Sequence, residues 1–377
     1  MLNRIGDAKL ASCPPGWFGS NCQFKCHCAP SNLCNGDDGS CISRCHPGWF
    51  GPACQYASMP FAARSGSRSL EWLTDKDDVT CNTNRGNNQT LIILLETPIP
   101  LGRVRAVVSD SAYLNNSEIS HERGHKSLIL NPTEERNSCL REVRVDDTIL
   151  DIHCHTSRIV TQFTLTGPGV EGLCSLYISG GRNVALKQPA EQSSLFYQWK
   201  ASHAVDGNIG VPNSLPSHRK TCSHTVEKDG AGWWKVLFTQ PVNVVRFLIY
   251  NRVGSDFPGC CEKRLMKFKL TARSEFSTDT PYIHKDTKKS AQNMYSVVPS
   301  PRISFPVSEV RIDEGFDDGY LTLCEVKVFG DCPLGTYGPG CSEQCNSTCA
   351  GENHACDQFD GTCDSCIAGY TGKHCSH

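Results

Sequence analysis

Two adjacent cysteines, Cys260 and Cys261, stand three residues before Arg264 in the stretch "GCCEKR". If the cysteines pair with each other, they close a strained eight-membered ring; if they pair elsewhere, two bridges leave one point of the backbone in different directions. A vicinal disulfide is a stiff, polarizable apolar edge, and an arginine presents several N–H donors in one rigid plane. What such a doublet does beside an arginine depends on the elements that position them.

The cysteine content indicates the compartment in which such bridges form. The chain has 377 residues, 24 cysteines and a formal net charge of −2 at pH 7. An even number of cysteines, dense at both ends and sparse in the middle, predicts a disulfide framework made in an oxidising compartment. We therefore expect an extracellular protein, either secreted or on the cell surface. The small net charge gives no general attraction to nucleic acid or to acidic membranes.

Two further features bear on localisation. Three Asn-x-Ser/Thr sequons are candidate glycosylation sites, at Asn88, Asn115 and Asn346. The opening residues lack the apolar core of a signal peptide, and no stretch is long enough to span a bilayer. Because the cysteines are the stronger indication, we expect the chain to be a fragment that lacks its signal peptide.

Both ends of the chain carry one cysteine and glycine motif. The pattern C-x-x-G-x-x-G-x-x-C occurs at 13–22, 45–54, 332–341 and 366–375. Its glycines would permit positive φ angles in a tight turn, and its cysteines would staple that turn shut. Such segments are too small to build a core, so disulfides must replace one.

With eight cysteines each, the segments 13–57 and 332–377 resemble EGF-like repeats of the multiple-EGF-domain type. For the first segment the resemblance implies the bridges Cys13–Cys22, Cys26–Cys34, Cys28–Cys41 and Cys45–Cys54. For the second it implies Cys332–Cys341, Cys345–Cys356, Cys349–Cys363 and Cys366–Cys375. Spacing alone does not prove a connectivity.

The middle of the chain has a sequence pattern that is typical of β-proteins. Short apolar runs such as "LIILLE" (91–96), "WWKVLF" (233–238) and "VNVVRFLIYN" (242–251) are separated by turn-forming residues. No long 3.6-residue periodicity occurs. This pattern predicts an all-β sandwich or barrel.

The middle also looks duplicated. In each half, one cysteine precedes a β-rich pair and another lies in a late strand. We therefore expect the domain-closing bridges Cys81–Cys174 and Cys222–Cys324 and a local pair Cys139–Cys154. By elimination, Cys260 would then pair with Cys261.

From about residue 183 to residue 330 the sequence resembles the F-type lectins, the fucolectin family of fucose-binding β-sandwiches. The resemblance is carried by "NVALKQPAEQSS" (183–194), "ASHAVDGN" (201–208) and an ordered His, Arg, Arg series around the cysteine doublet. It implies that His224, Arg252 and Arg264 bind the sugar. It also implies that the Cys260–Cys261 disulfide packs against one edge of the fucose.

The same resemblance implies a structural Ca²⁺ ion. The matching positions are Asp206, Asn208, Thr221, Cys324 and Glu325, and His203 falls where the family uses a backbone carbonyl. Carboxylate, carbonyl and hydroxyl oxygens are the hard ligands that Ca²⁺ prefers. We expect the ion to fix the loops at the mouth of the sandwich without touching the sugar.

The chain departs from the family pattern in three places. Seven residues, 253–259, separate Arg252 from the doublet, more than the family has, and Asp256 would replace the family's aspartate. The loop before Cys222 lacks the aromatic side chains that some members place against the fucose methyl group, for which Phe196 or Tyr197 would substitute. The segment 62–180 resembles the fold only faintly and has no doublet, so we expect it to have lost both sites.

Other chemistries have weaker support. His153 and His155 would face the same side of a strand, but no second cluster of zinc ligands accompanies them. The C-x-x-C spacing at 363–366 lies inside the EGF-like framework. No nucleophile elbow, zinc-protease motif or phosphate-binding glycine loop is present, so we expect no enzyme. For Trp233 and Trp234 we expect core packing rather than sugar stacking.

We therefore predict a mainly β protein in four parts. EGF-like repeats occupy 13–57 and 332–377, a degenerate galactose-binding-like β-sandwich occupies 62–180, and a jelly-roll-like F-type lectin domain occupies 183–330. The expected partners are fucosylated glycans, with extracellular proteins on the EGF-like repeats and homo-oligomers as compatible additions. The alternative is the ectodomain of an EGF-repeat adhesion or signalling receptor that binds proteins and whose sugar site has decayed.

Overall fold

A computed structural model describes residues 13–82, 90–114, 129–132, 139–154, 159–209, 221–226, 232–252, 261–275, 278–315 and 319–377. Within these ranges the regular structure consists of β-strands and six 3-10 turns, at Glu71–Leu73, Ser111–Tyr113, Pro168–Gly172, Ala201–Val205, Glu262–Leu265 and Glu352–His354. None of the described helical turns is long and apolar enough to cross a membrane. The mainly β fold that the apolar runs predict is confirmed.

The N-terminal segment consists of three two-stranded ribbons. Their strands are β1 (Trp17–Phe18), β2 (Phe24–Lys25), β3 (Cys28–Ala29), β4 (Arg44–Cys45), β5 (Trp49–Phe50) and β6 (Tyr56–Ala57). The disulfides are Cys13–Cys22, Cys26–Cys34, Cys28–Cys41 and Cys45–Cys54. These four pairs are the ones that the EGF-like resemblance implies.

The first β-sandwich follows directly. Its strands are β7 (Phe61–Ser65), β8 (Arg68–Ser69), β9 (Leu91–Ile99), β10 (Arg103–Val108), β11 (Ile129–Pro132), β12 (Cys139–Arg144), β13 (Ile149–Cys154), β14 (Val160–Thr166) and β15 (Leu173–Ser179). One sheet has the order β12-β13-β10-β15 and the other β11-β14-β9-β7-β8. Alternate residues of β9, Leu91, Ile93 and Leu95, enter the core between them. A Cys81–Cys174 disulfide closes the sandwich, and Cys154, which is disulfide-bonded, lies opposite Cys139 in the register.

The second β-sandwich carries the positions of greatest interest. Its strands are β16 (Arg182–Asn183), β17 (Ala190–Gln192), β18 (Ser223–His224), β19 (Trp233–Tyr250), β20 (Lys269–Arg273), β21 (Tyr282–Lys285), β22 (Met294–Val297), β23 (Val307–Asp313), β24 (Thr322–Leu323) and β25 (Glu325–Asp331). A core of aromatic and aliphatic side chains, including Trp234, Phe247 and Phe268, lies fully buried inside it. The Cys222–Cys324 disulfide closes this sandwich.

Strand β19 joins the two sheets of the second sandwich. Its first part pairs with β17 and β23, and its second part pairs with β22 and β25. The register shifts between Leu237 and Val242, around an exposed Thr239 and Gln240. The two sequence runs 233–238 and 242–251 therefore form one bent strand, because the turn-forming residues between them turn a corner without ending the pairing.

Trp233 and Trp234 behave differently because successive residues of a strand face opposite sides. Trp234 is completely buried in the core, as predicted. Trp233 instead lies partly exposed on the outer face, where the guanidinium of Arg311 is 4.7 Å from the ring centre. The prediction of core packing is wrong for Trp233, because strand alternation turns its side chain away from the core.

The C-terminal segment contains β26 (Thr336–Tyr337) and β27 (Glu343–Gln344). Its disulfides are Cys332–Cys341, Cys345–Cys356, Cys349–Cys363 and Cys366–Cys375, again the implied pairs. The eight glycines of the four repeated motifs all have φ between 83° and 95°. This is the left-handed backbone that the motif predicts. Cys363 and Cys366 are bonded to different partners, so their C-x-x-C spacing makes no redox dithiol.

A buried polar cluster joins the ribbons to both sandwiches, and we call it the junction. At its centre, Asp331 accepts hydrogen bonds from Tyr56 Oη at 2.6 Å and from Arg182 Nε at 3.2 Å, and Arg103 Nε lies 3.7 Å away. Arg182 also donates to the carbonyl oxygens of Gly338 and Pro339. Residues from all four parts of the chain therefore meet at one point.

Candidate functional site

His224 forms the centre of the site, and its tautomer is fixed by its neighbours. It lies on the short ladder in which Ser223 and His224 of β18 face Leu323 and Thr322 of β24. Its Nδ1–H donates to the carbonyl oxygen of Thr225, so Nε2 carries the lone pair and accepts from Arg264 Nη1 at 3.0 Å. The imidazole is 3% exposed, and its burial, together with the charges of Arg264 and Arg252, lowers its pKa to about 4. His224 is therefore neutral at physiological pH.

The two predicted arginines are each held over an aromatic ring. The guanidinium carbon of Arg264 is 4.4 Å from the ring centre of Tyr320, and that of Arg252 is 4.8 Å from the ring centre of Trp199. Such cation–π contacts fix the plane of a guanidinium while leaving its edge available for hydrogen bonds. The structure thus brings His224, Arg252 and Arg264 together, although they are up to 40 residues apart in the chain.

Aromatic rings surround the imidazole. Phe196 stacks on it with a centroid distance of 4.4 Å and an interplanar angle of 24°. Trp199 and Tyr320 meet it edge-on at 5.5 Å and 5.6 Å. Phe196 therefore lies at the site, as the sequence suggested, whereas Trp199 and Tyr320 are additions that sequence reasoning missed. The aromatic run "FYQW" at 196–199 is a sequence pattern from which Trp199 could have been predicted, whereas no sequence pattern points to Tyr320.

Asn251 and Gln192 position these side chains. The amide nitrogen of Asn251 donates to the carbonyls of Glu262 at 2.8 Å and Gln292 at 2.9 Å, and its amide oxygen accepts from the backbone N–H of Arg252. Asn251 thereby ties the end of β19 to the turn that carries Arg264. Gln192 donates to the carbonyls of Trp199 and His224, and so ties the aromatic loop to β18.

The cysteine doublet is described only in part. Cys261 is buried, disulfide-bonded and immediately precedes the 3-10 turn Glu262–Leu265 that carries Arg264. Cys260, Asp256 and the rest of the segment 253–260 lie outside the described residues. The prediction that Cys260 pairs with Cys261 therefore stays a prediction.

The positions implied for calcium surround the end of the Cys222–Cys324 bridge. Glu325 is completely buried, and its Oε2 accepts from the backbone N–H of Gly207 at 3.2 Å. Burial raises the pKa of Glu325 to about 8; the charge of Asp206 adds to this, while Lys327 opposes it. Burial likewise raises the pKa of Asp206. Raised pKa values at both Glu325 and Asp206 indicate a position where a bound cation would be favoured, because a positive charge stabilises the ionised carboxylates.

The donor set fits a hard cation. Within the described residues, the Oε1 atom of Glu325 is buried and has no hydrogen-bond partner. Asn208 lies two residues after Asp206, and Thr221 directly precedes Cys222 of the bridge. His203 is close to the same bridge, since its Nδ1 lies 3.3 Å from the carbonyl oxygen of Cys222. A buried acceptor without a donor is costly unless a cation or water satisfies it.

The residues considered for zinc binding and for glycosylation lie away from this site or outside the described residues. Among the described residues, the groups of three metal-ligand side chains are Cys26 with Cys28 and Cys34, and Cys28 with Cys41 and Cys54; all of these cysteines are in disulfides. His155 lies outside the described residues, while His153 faces Arg103 in the junction, with Nε2 2.8 Å from Nη1. Asn88 and Asn115 also lie outside. Asn346 is described, and its side-chain oxygen accepts from the backbone N–H of Thr348.

One protein-family model matches part of the second sandwich. A family model described as "NedA-like, galactose-binding domain" matches residues 203–302, which include His224, Arg252 and Arg264. The second sandwich thus has a galactose-binding-like fold. No curated protein gives a significant match to the sequence.

Solved structures show partial likeness. A Streptococcus pneumoniae fucose binding module, SpX-3, is 25% identical over 39% of this chain and 96% of its own, with a TM-score of 0.31. The lectin domain of lectinolysin complexed with Lewis B antigen is 24% identical over 39% of this chain and 96% of its own, with a TM-score of 0.33. An f-lectin (fucolectin) from Morone saxatilis (striped bass) serum is 20% identical over 72% of this chain and 95% of its own, with a TM-score of 0.33. TM-scores of this size assign no function.

Proposed function

We propose that the second sandwich is an F-type lectin domain that binds terminal fucose on extracellular glycans and catalyses no reaction. The observation that carries the proposal is the convergence of a neutral His224 with Arg252 and Arg264 inside a wall of aromatic rings. The choice of fucose among sugars comes from the F-type lectin pattern around these residues.

The geometry supports sugar binding in physical terms. Sugar hydroxyls need directional partners, and each arginine offers several N–H groups in a plane held by an aromatic ring. The aromatic rings and the disulfide of Cys261 are suited to the C–H face of a pyranose. Because cation–π contacts and a hydrogen bond within the protein hold these side chains in place, little conformational entropy is lost on binding.

We further propose that Ca²⁺ is a structural ligand of the same domain. Asp206, Asn208, Thr221 and Glu325 would supply side-chain oxygens, and Cys324 and the residue at His203 would supply carbonyls. Glu325 would then be ionised with its orphaned oxygen satisfied. When bound, the ion supplies positive charge that holds the loops at the site; it takes no part in sugar recognition.

The cysteine-rich ends support an extracellular setting. We propose that they are EGF-like repeats of a secreted or cell-surface glycoprotein, where disulfides persist. In that setting, several weak sugar sites on one surface would act together in adhesion.

The test is calorimetric titration of L-fucose into the oxidised protein, with D-galactose as the control sugar. Arg264→Ala removes a charged donor, so we expect the dissociation constant for fucose to rise by about tenfold to a hundredfold. Arg273→Ala is the matched control, because Arg273 is an exposed arginine of the same sandwich that pairs with Glu309 at 2.9 Å, away from the site.

Two results would overturn the proposal. One is a wild-type protein, with calcium present and Cys222–Cys324 formed, that gives no heat with fucose. The other is an equal loss of affinity in the Arg264 and Arg273 variants. The first result would favour the receptor alternative, in which the sandwiches bind proteins.

A further inference from the structure

An apolar cavity of about 170 Å³ lies where the N-terminal ribbons meet the two sandwiches. Its walls include residues 57–60 at the end of the ribbons, Ile99 at the end of β9 and the linker 179–181 between the sandwiches. The second sandwich contributes Val245, Arg246, Leu248 and Phe329. None of these lining residues belongs to the candidate sugar site or to the positions implied for calcium. An apolar cavity of about 150 Å³ is large enough to bind benzene, so this cavity has room for a small ring.

Hydrogen bonds within the protein fix the walls of the cavity. The backbone N–H of Met59 donates to the carbonyl of Ile178 at 2.8 Å, and the N–H of Ile178 donates to Ser58 Oγ at 3.2 Å. In the linker, Ser179 Oγ donates to the carbonyl of Gly181 at 2.9 Å. The cavity is therefore formed before any ligand enters, and the hydroxyl groups of its two serines are already engaged with the backbone.

A β-bulge in β19 brings Arg246 to this cavity. The register with β25 shifts between Val244 and Arg246, so Val245 is an extra residue on β19. Val244 and Phe247 lie in the core of the second sandwich, whereas Val245 packs with the core of the first. Because of the bulge, two successive side chains, Val245 and Arg246, both line the cavity on the outer side of the sheet.

Arg246 places a positive charge at this apolar space. Its side chain is half-buried, and burial lowers its pKa. Its Nε donates to Ser296 Oγ at 3.0 Å, which holds the guanidinium in position. Among the described residues, no carboxylate forms an ion pair with Arg246. A charge in such surroundings is stabilised when an opposite charge binds beside it.

We propose that this cavity binds a small apolar carboxylate, whose hydrocarbon part fills the space and whose carboxylate pairs with Arg246. Ligand sites are mainly apolar with a few polar groups that set the orientation, and they often lie between domains. A guanidinium suits a carboxylate because it can donate two N–H groups to the two carboxylate oxygens. Benzoate has the ring and the charge that the cavity requires. The site is separate from the proposed sugar site and does not depend on fucose binding.

The experiment is calorimetric titration of the full oxidised chain with benzoate, and with benzyl alcohol as a neutral compound of similar size. Benzyl alcohol should bind about tenfold to a hundredfold more weakly than benzoate, because it lacks the charge that pairs with the guanidinium. Arg246→Gln should weaken benzoate binding by the same factor and leave benzyl alcohol binding unchanged. Arg273→Gln, at an exposed arginine paired with Glu309, is the matched control and should bind benzoate as the wild type does.

A second variant tests the location of the site and keeps the charge. Leu248 lies between Phe247 and Ile249, whose side chains are in the core, so Leu248 faces the cavity that it lines. Leu248→Trp should fill the cavity and abolish the binding of both compounds. Melting temperatures show whether each variant is folded. If Leu248→Trp does not fold, the comparison of Arg246→Gln with the wild type still decides the proposal.

Four results would overturn the proposal. The first is a wild-type protein that gives no heat with benzoate, and the second is equal affinity for benzoate and benzyl alcohol. The third is a loss of benzoate affinity in Arg273→Gln that equals the loss in Arg246→Gln. The fourth is unchanged benzoate binding in a folded Leu248→Trp variant, which would place the bound benzoate elsewhere.

Discussion

At the scale of single residues, the site depends on an imidazole that stays neutral. Nδ1 of His224 already carries the proton that it donates to a carbonyl, so only Nε2 could take another proton, and that would break its hydrogen bond from Arg264. Protonation would also place a third positive charge beside Arg252 and Arg264. Burial and these charges together lower the pKa to about 4.

A pH profile follows from this pKa. In the folded protein His224 titrates near 4, whereas an unfolded histidine titrates near 6.5. The unfolded chain therefore binds the extra proton between these values, and the contribution to stability is complete above 6.5 and lost as the pH falls towards 4. We expect the dissociation constant for L-fucose to be constant from about pH 8 to pH 5 and to rise below, with a midpoint near 4.

His27 provides the control for that profile. Burial also lowers its pKa to about 4, but it stacks on Trp49 in the N-terminal ribbons, far along the chain from the site. A His27→Gln variant should keep the pH profile of fucose binding. A midpoint near 6.5 for the wild-type protein would show that His224 is not held in the neutral form.

At the scale of elements, one short ladder connects the proposed sugar site with the positions proposed for calcium. Strand β18 ends in His224, and its partner β24 leads through Cys324 into Glu325. The Cys222–Cys324 disulfide joins the two strands at the other end of this ladder. Two paired residues of each strand therefore connect His224 with the bridge beside the positions proposed for calcium.

Calcium should therefore stabilise the domain through Glu325. At a calcium concentration about 100-fold above the dissociation constant, we expect the melting temperature to rise by roughly 5 to 10 °C. Glu325→Gln should abolish the rise, because an amide brings no charge to the cation. Differential scanning calorimetry with calcium and with EDTA measures both.

Glu309→Gln is the matched control for the calcium measurement. Glu309 is also buried, but it is paired with Lys235 and Arg273. This variant should keep the calcium response. An equal rise in the Glu325 variant, or no rise in the wild type, would contradict the assignment.

The sequence predicted those parts of the site that depend on residue type and order. His224, Arg252 and Arg264 carry a recognisable order, and Cys222 and Cys324 could be paired from the duplicated spacing. Tyr320 and Asn251 could not be found in this way, because their roles arise from contacts across the sandwich. Asn251 matters through two carbonyls that only folding brings near it.

At the scale of the whole molecule, the junction makes the four parts one unit. The charges of Arg182 and Arg103 hold the pKa of Asp331 below its usual range, although burial alone would raise it. The aromatic ring of Tyr56 also packs under Arg103, whose guanidinium carbon is 4.5 Å from the ring centre. Loss of the central carboxylate would leave two buried guanidinium groups without their counter-charge.

We expect Asp331→Asn to destabilise the protein by about 3 to 5 kcal/mol, as is usual when one partner of a buried ion pair is removed. The control is Asp313→Asn, which breaks pairs with Lys269 and Arg311 on the outer face of the sandwich. That change should cost about 1 kcal/mol or less. Equal losses in chemical denaturation would show that the junction contributes no more than a surface pair.

Sequence reasoning predicted the sandwiches and the disulfides of both cysteine-rich ends, together with Cys81–Cys174 and Cys222–Cys324, but not this arrangement. Strands and turns follow from local patterns, as in β9. The runs 233–238 and 242–251 nevertheless form one strand, because the turn-forming residues between them bend β19 at Thr239 and Gln240 without ending it. No sequence pattern predicts the junction. Tyr56 and Asp331 are 275 residues apart, and neither stands in a motif.

That separation also has a consequence in time. A ribosome adds about 5 to 20 residues per second, so the 275 residues between Tyr56 and Asp331 take about 15 to 55 s to make. Throughout this interval the N-terminal ribbons exist without the carboxylate that joins them to the rest, and so does the first sandwich once Ser179, the last residue of β15, has been added. The junction therefore forms only after the last strand of the second sandwich has been made, because Asp331 ends β25.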